Sequence, residues 1–340
     1  KGHSFHTSSD TEVILHMYVE YGNDFVNLLN GMFAFIIFDK NKNEFFIARD
    51  HFGIKPLYWY HDDQLIAFGS EIKALLAHPG INAEADTDNL YEYLTFQFVM
   101  GEGTMFKNIF KILPGHFMSI NLNTYEFKVE KYWEPNFKID QFHTEEYFIT
   151  ELQAILEETI SQQLRSDVPL GTYLSGGIDS SLVTIMASKL LNNPIKSFSG
   201  AFNEGPEFNE LEYARIAAKK ANAELLEIFP TEQEFIDLIP KLIYHLDEPV
   251  AGPGLFPQFI VSRLASKHVK VILGGQGGDE IFGGYTRYLV AYLEQALKGA
   301  IFQSNEEAEH IVSLESRLPH LPTLKQYIPM MKSFWNEGDF

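Results

Sequence analysis

The sequence contains no cysteine among its 340 residues. Disulfide bonds, cysteine-ligated zinc and a thiol nucleophile are therefore excluded from this stretch of chain. Other common functional motifs are absent too: GxxxxGK[ST] and HExxH do not occur, no complete GxGxxG follows a predicted strand, and the 12 histidines show no ligand spacing.

Basic residues and long hydrophobic runs are also scarce. Lys and Arg total 26 against 46 Asp and Glu, a formal net charge of −20, and no Lys/Arg-rich run occurs. Nucleic acid is disfavoured as main partner, whereas small anions held by backbone N–H groups remain compatible. The longest apolar run, residues 32–38, is far shorter than the ~18 residues of a membrane span, and no signal peptide is recognisable. We expect a cytoplasmic protein with no membrane partner.

The pattern of the chain changes near residue 133. Residues 1–133 are rich in strand formers and aromatic residues, with a hairpin predicted around residues 39–43, and indicate an antiparallel sheet with a few helices. Residues 134–143 are irregular and predicted to be a linker. From residue 144 to 340, strand and helix segments alternate, which is typical of a doubly wound parallel sheet. The sequence thus predicts an α+β domain followed by an α/β domain.

A short polar loop follows the predicted strand 168–174. It consists of Ser175, Gly176, Gly177, Ile178, Asp179, Ser180 and Ser181, and it opens a predicted helix. Glycines let the backbone approach a phosphate, and the hydroxyls and first N–H groups of the helix can donate to it. Asp179 would repel a bare anion, so the pattern favours Mg²⁺ between them. The simpler interpretation is a Ser/Gly turn that caps a helix.

A second glycine-rich loop follows the predicted strand 269–273. Its residues are Gly274, Gly275, Gln276, Gly277, Gly278, Asp279 and Glu280. Because ligands bind at the carboxyl ends of parallel strands, both loops are expected to face one crevice, where Asp179 and Asp279 could share a metal ion. The alternative is a mobile glycine loop with a solvated acid pair, which is disfavoured because such strand ends commonly carry function.

Together these motifs resemble those of a known family. SGGIDSS at 175–181 with GGQGGDEIFGGY at 274–285 is similar to the ATP-pyrophosphatase (PP-loop) half of the glutamine-dependent asparagine synthetases. The N-terminal segments SDTEVI (9–14), GMFAFIIFD (31–39), ARDHFGIKPLY (48–58) and FGSEIKA (68–74) resemble the later part of a class II, N-terminal nucleophile glutaminase domain. The motifs occur in the family's order and extend to Tyr285.

The resemblance implies a set of site residues. ATP-binding positions are matched by Leu174, Ser175, Gly176, Gly177, Asp179, Ser180, Gly200, Gly274 and Gly275; the Mg²⁺ ligands by Asp179 and Asp279; and catalytic positions by Gln276, Asp279 and Glu280. The family uses ATP to activate the side-chain carboxylate of L-aspartate as an acyl-adenylate, with release of pyrophosphate. Ammonia, supplied as such or from L-glutamine, then displaces AMP.

The N-terminal half carries its own expectations. Asp10 matches the position that binds the α-amino group of glutamine, and its alternative role is a helix N-cap. Arg49 and Asp50 are expected to form a structural Arg–carboxylate pair that fixes a turn. The family's glutaminase nucleophile is an N-terminal cysteine, so the chain as given should not hydrolyse glutamine. We expect a piece cut at both ends, with the family's catalytic lysine lying beyond Phe340.

Two departures from the family concern the acceptor substrate. Gln276 occupies a position where better-known members have a Glu associated with forming the acyl-adenylate. Residues 247–254 replace a Thr/Arg-bearing stretch thought to hold aspartate, and no Arg follows before Arg263. Aspartate is the leading acceptor, and another carboxylate is the alternative. A nucleotide-binding module without turnover and a PP-loop RNA-modifying enzyme are further hypotheses, the last opposed by the acidic charge. A homo-oligomer is left open.

Overall fold

The chain forms two compact units. A computed structural model describes residues 2–302 except 138–139, 141, 192, 203–209, 251 and 253. The first unit comprises Lys1–Phe137 with Glu232–Phe256, and the second comprises Lys138–Thr231 with Pro257–Phe340. The second unit is thus interrupted in sequence by a segment of the first. The domain boundaries predicted at residues 133 and 144 stay predictions.

Strands occur in both units. Those of the first unit are β1 (Ala34–Asp39), β2 (Glu44–Arg49), β3 (Tyr58–His61), β4 (Ile66–Gly69), β5 (Ile109–Lys111), β6 (His116–Asn121) and β7 (Glu126–Lys131). Those of the second unit are β8 (Leu170–Tyr173), β9 (Lys196–Gly200), β10 (Glu224–Ile228) and β11 (Val271–Leu273). The strands predicted at 168–174 and 269–273 correspond to β8 and β11, each within two residues at either end, because short apolar runs bounded by turn residues mark strands well.

The helices complete the framework. They are α1 (Asp10–Tyr21), α2 (Ile72–Leu76), α3 (Thr87–Phe96), α4 (Glu145–Gln163), α5 (Ile178–Leu191), α6 (Leu211–Ala221), α7 (Glu232–Leu246), α8 (Leu255–Ala265), α9 (Gly278–Phe282) and α10 (Thr286–Phe302). Thr144 is the N-cap of α4, since its side chain accepts the N–H of Tyr147. None of the described helices combines the length and the apolar character needed to cross a bilayer.

The start of α1 corrects one expectation. Ser9, not Asp10, is the N-cap, and its hydroxyl accepts the N–H of Thr11 at 3.2 Å. Asp10 is the first helical residue and is exposed. Ser and Asp both cap helices well. An Asp10 cap would require the helix to begin at Thr11, but it begins at Asp10. The Asp10 carboxylate instead lies in the first turn, where the helix dipole stabilises negative charge.

Two antiparallel sheets build the first unit. Their strand orders are β1-β2-β6-β7 and β4-β3-β5. The predicted hairpin is confirmed, since Asp39 pairs with Glu44 across the turn. Ile47 and Met118 of the first sheet pack with Trp59 of the second in one buried cluster. The two sheets are therefore held together by burial of apolar side chains, at roughly 25 cal/mol for each Å² removed from water.

A buried carboxylate fixes the turn after β2. Asp50 is only 1% exposed, and its side chain accepts N–H groups from four residues: Phe33, Phe52, Ile54 and Lys55. Arg49 donates to the carbonyls of Gly53, Lys55 and Ile112. The expected Arg49–Asp50 pair is therefore wrong, because each side chain bonds backbone groups instead, though both do fix this turn.

One parallel sheet forms the second unit, as predicted. Its order is β10-β9-β8-β11, and every pair is parallel. Leu225 and Leu226 are successive residues of β10, so they face opposite sides of the sheet. Leu225 packs in the cluster that contains Leu211 of α6, and Leu226 in the cluster that contains Val261 of α8. Helices thus cover both faces, which confirms the doubly wound arrangement.

A chain of buried hydroxyls lies under this sheet. Thr172 of β8 is hydrogen-bonded to Ser197 of β9 at 2.8 Å and accepts the hydroxyl of Thr184 of α5 at 3.0 Å. All three side chains are fully buried. Because each hydroxyl has a partner, the network costs little to bury and fixes α5 against two strands.

We predict that Asp50→Ala destabilises the first unit by about 2–4 kcal/mol, because it leaves buried N–H groups without an acceptor. Urea unfolding followed by tryptophan fluorescence, to which Trp59 and Trp133 contribute, measures this loss. The matched control is Asp63→Ala at an exposed acid, expected to change stability by less than about 0.5 kcal/mol. Equal effects of the two substitutions would contradict the anchoring role of Asp50.

Candidate nucleotide site

Two loops leave the carboxyl ends of neighbouring strands. β8 leads into residues 174–177 and then α5, and β11 leads into residues 274–277 and then α9. β8 and β11 are paired in parallel, with Leu170 opposite Val271 and Thr172 opposite Leu273. The prediction that both loops face one crevice is therefore supported by the sheet order, since adjacent parallel strands end at the same edge.

Serine hydroxyls fold the first loop onto itself. The hydroxyls of Ser175 and Ser180 are 2.9 Å apart, and the Ser180 hydroxyl also donates to the carbonyl of Gly177 at 3.2 Å. The N–H of Gly177 donates to Ser175 Oγ. Gly176 has φ +103°, and a Cβ there would lie 2.6 Å from the carbonyl oxygen of Glu210. The loop is thus held tight against the start of α6 and can accept only glycine at residue 176.

The second loop lies directly against the first. A Cβ on Gly275 would lie 2.6 Å from the backbone nitrogen of Ser180, and a Cβ on Gly278 would collide with the carboxylate of Asp179. Gly277, the N-cap of α9, has φ +95°. These glycines are therefore needed for close approach of two backbones and for a left-handed turn. The contacts bring Asp179 and Ser180 together with Gly275 and Gly278.

Negative charge accumulates where the loops meet. The pKa of the Asp179 carboxyl is raised by burial and by the neighbouring charges of Asp279 and Glu280. A Cβ on Gly284 would collide with the carboxylate of Asp279, so the chain after α9 folds back closely over this acid. The predicted acid pair is therefore close enough to Asp179 to raise its proton affinity, and a cation would relieve the repulsion.

Glu280 has a partner that the sequence reasoning missed. The hydroxyl of Tyr285 donates to Glu280 Oε1 at 2.8 Å, and this bond lowers the pKa of the Glu280 carboxyl. The guanidinium of Arg287 lies 4.2 Å from the centre of the Tyr285 ring. The Gly283-Gly284 pair, which lets the chain reverse so soon after Glu280, was the available signal. Tyr285 and Arg287 thus belong to the site beside the acid pair.

The remaining predicted residues are either buried in the sheet, exposed at or just after a strand end, or part of the first unit. Leu174 is fully buried, and its N–H donates to the carbonyl of Phe198. Gly200 is exposed at the end of β9, next to Ser199, whose buried hydroxyl has no partner among the described residues. Gly274 is exposed at the end of β11, and Gln276 is exposed in the second loop. Asp10 lies in the first unit.

The predicted ligand pair for magnesium stays a prediction. Within the described ranges, no group of three or more His, Asp or Glu residues is arranged so that it could hold a metal ion. Asp179 and Asp279 interact electrostatically, but the described residues do not by themselves complete a cation site around them. A cation here would need further ligands, such as phosphate oxygens and water, which is the usual situation for Mg²⁺.

Comparison with known proteins identifies both parts of the chain. Residues 151–334 match the family model described as asparagine synthase. Residues 1–133 match the glutamine amidotransferase domain. The two loops and the acid pair fall inside the first match, and the Asp50 turn falls inside the second.

Sequence relatives agree with these matches. The chain is 37% identical over 85% of its length to "Asparagine synthetase [glutamine-hydrolyzing] 1" of Bacillus subtilis, covering 45% of that protein. It is 30% identical over 99% of its length to asparagine synthetase 3 of the same organism, covering 53% of it. It is 33% identical over 84% of its length to the asparagine synthetase of Zea mays, covering 45% of it. The chain spans about half the length of these relatives. Because the asparagine synthase model matches more than half of its residues, the chain belongs to the asparagine synthase family.

Proposed function

We propose that the protein is an ATP-dependent ligase that activates the side-chain carboxylate of aspartate as an acyl-adenylate and amidates it with ammonia from glutamine. The observation that carries the proposal is the close contact of the two glycine-rich loops around Asp179. The relatives' printed names, which specify glutamine-hydrolysing asparagine synthetase, supply the substrate class.

Binding of the nucleotide phosphates is the task of the first loop. The backbone N–H groups at the start of α5 have no partner within the helix and carry the positive end of its dipole. The hydroxyls of Ser175 and Ser180 add donors on the same loop. Groups fixed in this way stabilise negative charge on departing pyrophosphate without reorganising, which is the main source of catalysis in such reactions.

Magnesium is the cation that fits the loop junction. Asp179 and Asp279 offer hard carboxylate oxygens. Burial, followed by the charges of Asp279 and Glu280, raises the pKa of the Asp179 carboxyl, so a cation here would be stabilising. When bound, Mg²⁺ would neutralise phosphate charge and orient the leaving pyrophosphate. Asp179 and Asp279 would hold it together with phosphate oxygens. Glu280, held by Tyr285, would remain available to orient the nucleotide or the acceptor.

The acceptor site departs from the family pattern at two places. Gln276 is neutral and exposed in the second loop, where family resemblance leads us to expect a glutamate. Asp247 and Glu248, in the stretch expected to hold aspartate, accept hydrogen bonds within the first unit instead. These two observations favour a second candidate, the same activation chemistry on another carboxylate. Nucleotide binding without turnover is the remaining alternative.

Glutamine would be used by the N-terminal part. Asp10 is exposed at the start of α1, where a carboxylate can meet the α-amino group of glutamine. The chain contains no cysteine, so an ammonium salt must supply ammonia when this chain is tested by itself. We further propose a cytoplasmic location, and a homo-oligomer stays open.

We predict that Asp179→Asn raises the midpoint of thermal unfolding near neutral pH without divalent cations. The raised pKa means that ionised Asp179 costs stability above that pKa, and the cost vanishes as the carboxyl takes up a proton. The gain should therefore shrink as the pH falls. The same substitution should abolish the rise in midpoint that MgATP causes in the wild-type chain.

Differential scanning fluorimetry with and without MgATP measures both effects. Asp167→Asn, at an exposed acid of the same unit, is the matched control and should change neither. A variant that still gains stability from MgATP as the wild type does would contradict a cation site at Asp179.

We predict that the full-length protein turns over MgATP continuously to AMP and pyrophosphate only when both aspartate and an ammonium salt are present. Asp179→Ala should lower the rate by about 100-fold or more, the usual cost of losing a group that stabilises the transition state. Asp167→Ala should leave the rate unchanged. Liquid chromatography of AMP and a coupled pyrophosphate assay measure the reaction.

The other results distinguish the alternatives. AMP formation that requires a different carboxylate would favour the second candidate. Binding of MgATP without AMP formation, also in the full-length protein, would favour a nucleotide-binding role. Retention on RNA at about 0.15 M salt would reopen the RNA-modifying hypothesis, because such retention needs a basic surface.

A further inference from the structure

One segment of the ligase match lies in the first unit. Glu232–Phe256 falls inside residues 151–334, which match asparagine synthase, yet it belongs to the compact unit formed by Lys1–Phe137. The contacts come from the end of α7 and the residues after it. They join residues that are about 175 positions apart in sequence, so they cannot arise from local folding preferences.

Asp247 makes the central contact. Its carboxylate accepts the N–H of Ile72 at 2.7 Å and the N–H of Lys73 at 3.1 Å, both in the first turn of α2. The ammonium of Lys73 donates to the same carboxylate at 3.1 Å, and the Asp247 side chain is only 5% exposed. A buried carboxylate with three donors is fully satisfied, so removing its charge would leave all three without an equivalent partner.

The backbone at Asp247 is held in an uncommon conformation. Its φ is +67°, in the left-handed region that non-glycine residues visit rarely. Such a conformation persists only where surrounding contacts determine it, and it favours a functional reason for the placement. A glycine would relieve the strain but would lose the carboxylate, so the side chain and the backbone conformation are required together.

Lys73 makes further contacts with the end of α7. Its ammonium donates to the carbonyl of His245 at 3.1 Å and lies 5.5 Å from the centre of the Tyr244 ring. It also pairs with Glu71 at 2.8 Å, but that carboxylate is 52% exposed and contributes little. One lysine of the amidotransferase match therefore contacts Tyr244, His245 and Asp247 of the ligase match.

Glu248 adds a second attachment beside the first. Its carboxylate accepts the N–H of Met105, which precedes β5. Burial raises the pKa of the Glu248 carboxyl, and the nearby Lys111 partly offsets this. Both acids of the Asp247-Glu248 pair are thus bonded to the amidotransferase match.

We propose that Asp247 and Lys73 are positioning residues that fix the end of α7 on the amidotransferase part, so that ammonia released from glutamine is consumed by the ligase. The inference rests on the proposed function, because it requires that one protein hydrolyses glutamine and activates a carboxylate. Neither residue touches a substrate. Their contribution is to couple glutamine hydrolysis to amidation of the activated carboxylate. Amidation with ammonia supplied from solution does not depend on this coupling.

The test measures coupling in the full-length protein. Wild type, Asp247→Asn and Lys73→Met are assayed with MgATP and aspartate, once with glutamine and once with saturating ammonium. Glutamate formed per AMP is the readout. In both variants this ratio should rise about threefold or more, within the range typical of coupling inside one hydrogen-bonded network. The ammonium-supported rate and its KM for ATP should stay at wild-type values.

Two further variants serve as controls. Glu71→Gln removes the exposed partner of Lys73 and should leave the ratio unchanged. Lys73→Arg keeps the charge and should restore a ratio close to that of the wild type. Hydrogen exchange at Ile72 and Lys73 in the 340-residue chain should be faster in Asp247→Asn, which checks the contact without relying on activity.

Each result has a defined meaning. An unchanged ratio in Asp247→Asn and Lys73→Met, with a wild type active on both nitrogen sources, overturns the inference alone. A parallel fall of ammonium-supported and glutamine-supported rates also overturns it, since that is the result of a merely structural role. Absence of AMP from the wild type with either nitrogen source overturns the proposed function.

Discussion

The site depends on how closely two backbones approach each other. The second glycine-rich loop lies so near Asp179 and Ser180 that Gly275 and Gly278 have no room for a Cβ. This constraint fixes the residue types of the second loop, because any larger side chain would separate the strand ends. It also determines the electrostatics, since burial at the junction, together with the charges of Asp279 and Glu280, raises the pKa of Asp179. The close packing of the two loops and the accumulation of negative charge around Asp179 thus have the same structural cause.

Other contacts in the second unit hold the two loop backbones close together. Parallel pairing of β8 with β11 sets the two loops side by side. The hydroxyl chain of Thr172, Ser197 and Thr184 fixes α5, whose first turn carries Asp179. Tyr285 holds Glu280 from the far side. The start of α5 must keep its N–H groups free for an anion. The side chains that support it already have hydrogen-bond partners of their own, so they do not compete for those N–H groups.

Local signals predicted most of this architecture. The hairpin at Asp39 depends on residues close in sequence, and the alternation of strands and helices indicated the doubly wound sheet; both are confirmed. Asp10 failed as a cap because Ser9, an equally good candidate, stands one residue earlier. The Arg49–Asp50 pair failed because backbone donors and acceptors compete for both side chains.

Long-range contacts were beyond such signals. The bonds from Asp247 to Ile72 and Lys73 carry no spacing or periodicity that a single sequence could show. The hydrogen bond from the Tyr285 hydroxyl to Glu280 was also not predictable, because the glycines indicated a turn but not which side chain would contact Glu280 after it. Sequence patterns therefore identified the strand ends that build the site, and tertiary contacts decided which side chains support it.

The order of the parallel sheet has a consequence for synthesis of the chain. β11 pairs with β8 about 100 residues after β8 has left the ribosome, whereas β9 follows β8 closely. Closing so large a loop is slow, because its entropy must be lost before the pairing stabilises anything. The strand that leads into the first loop is therefore synthesised about 100 residues before the strand that pairs with it. A chaperone or early nucleotide that protects the open edge of β8 in this interval would act on the yield of folded protein, independently of catalysis.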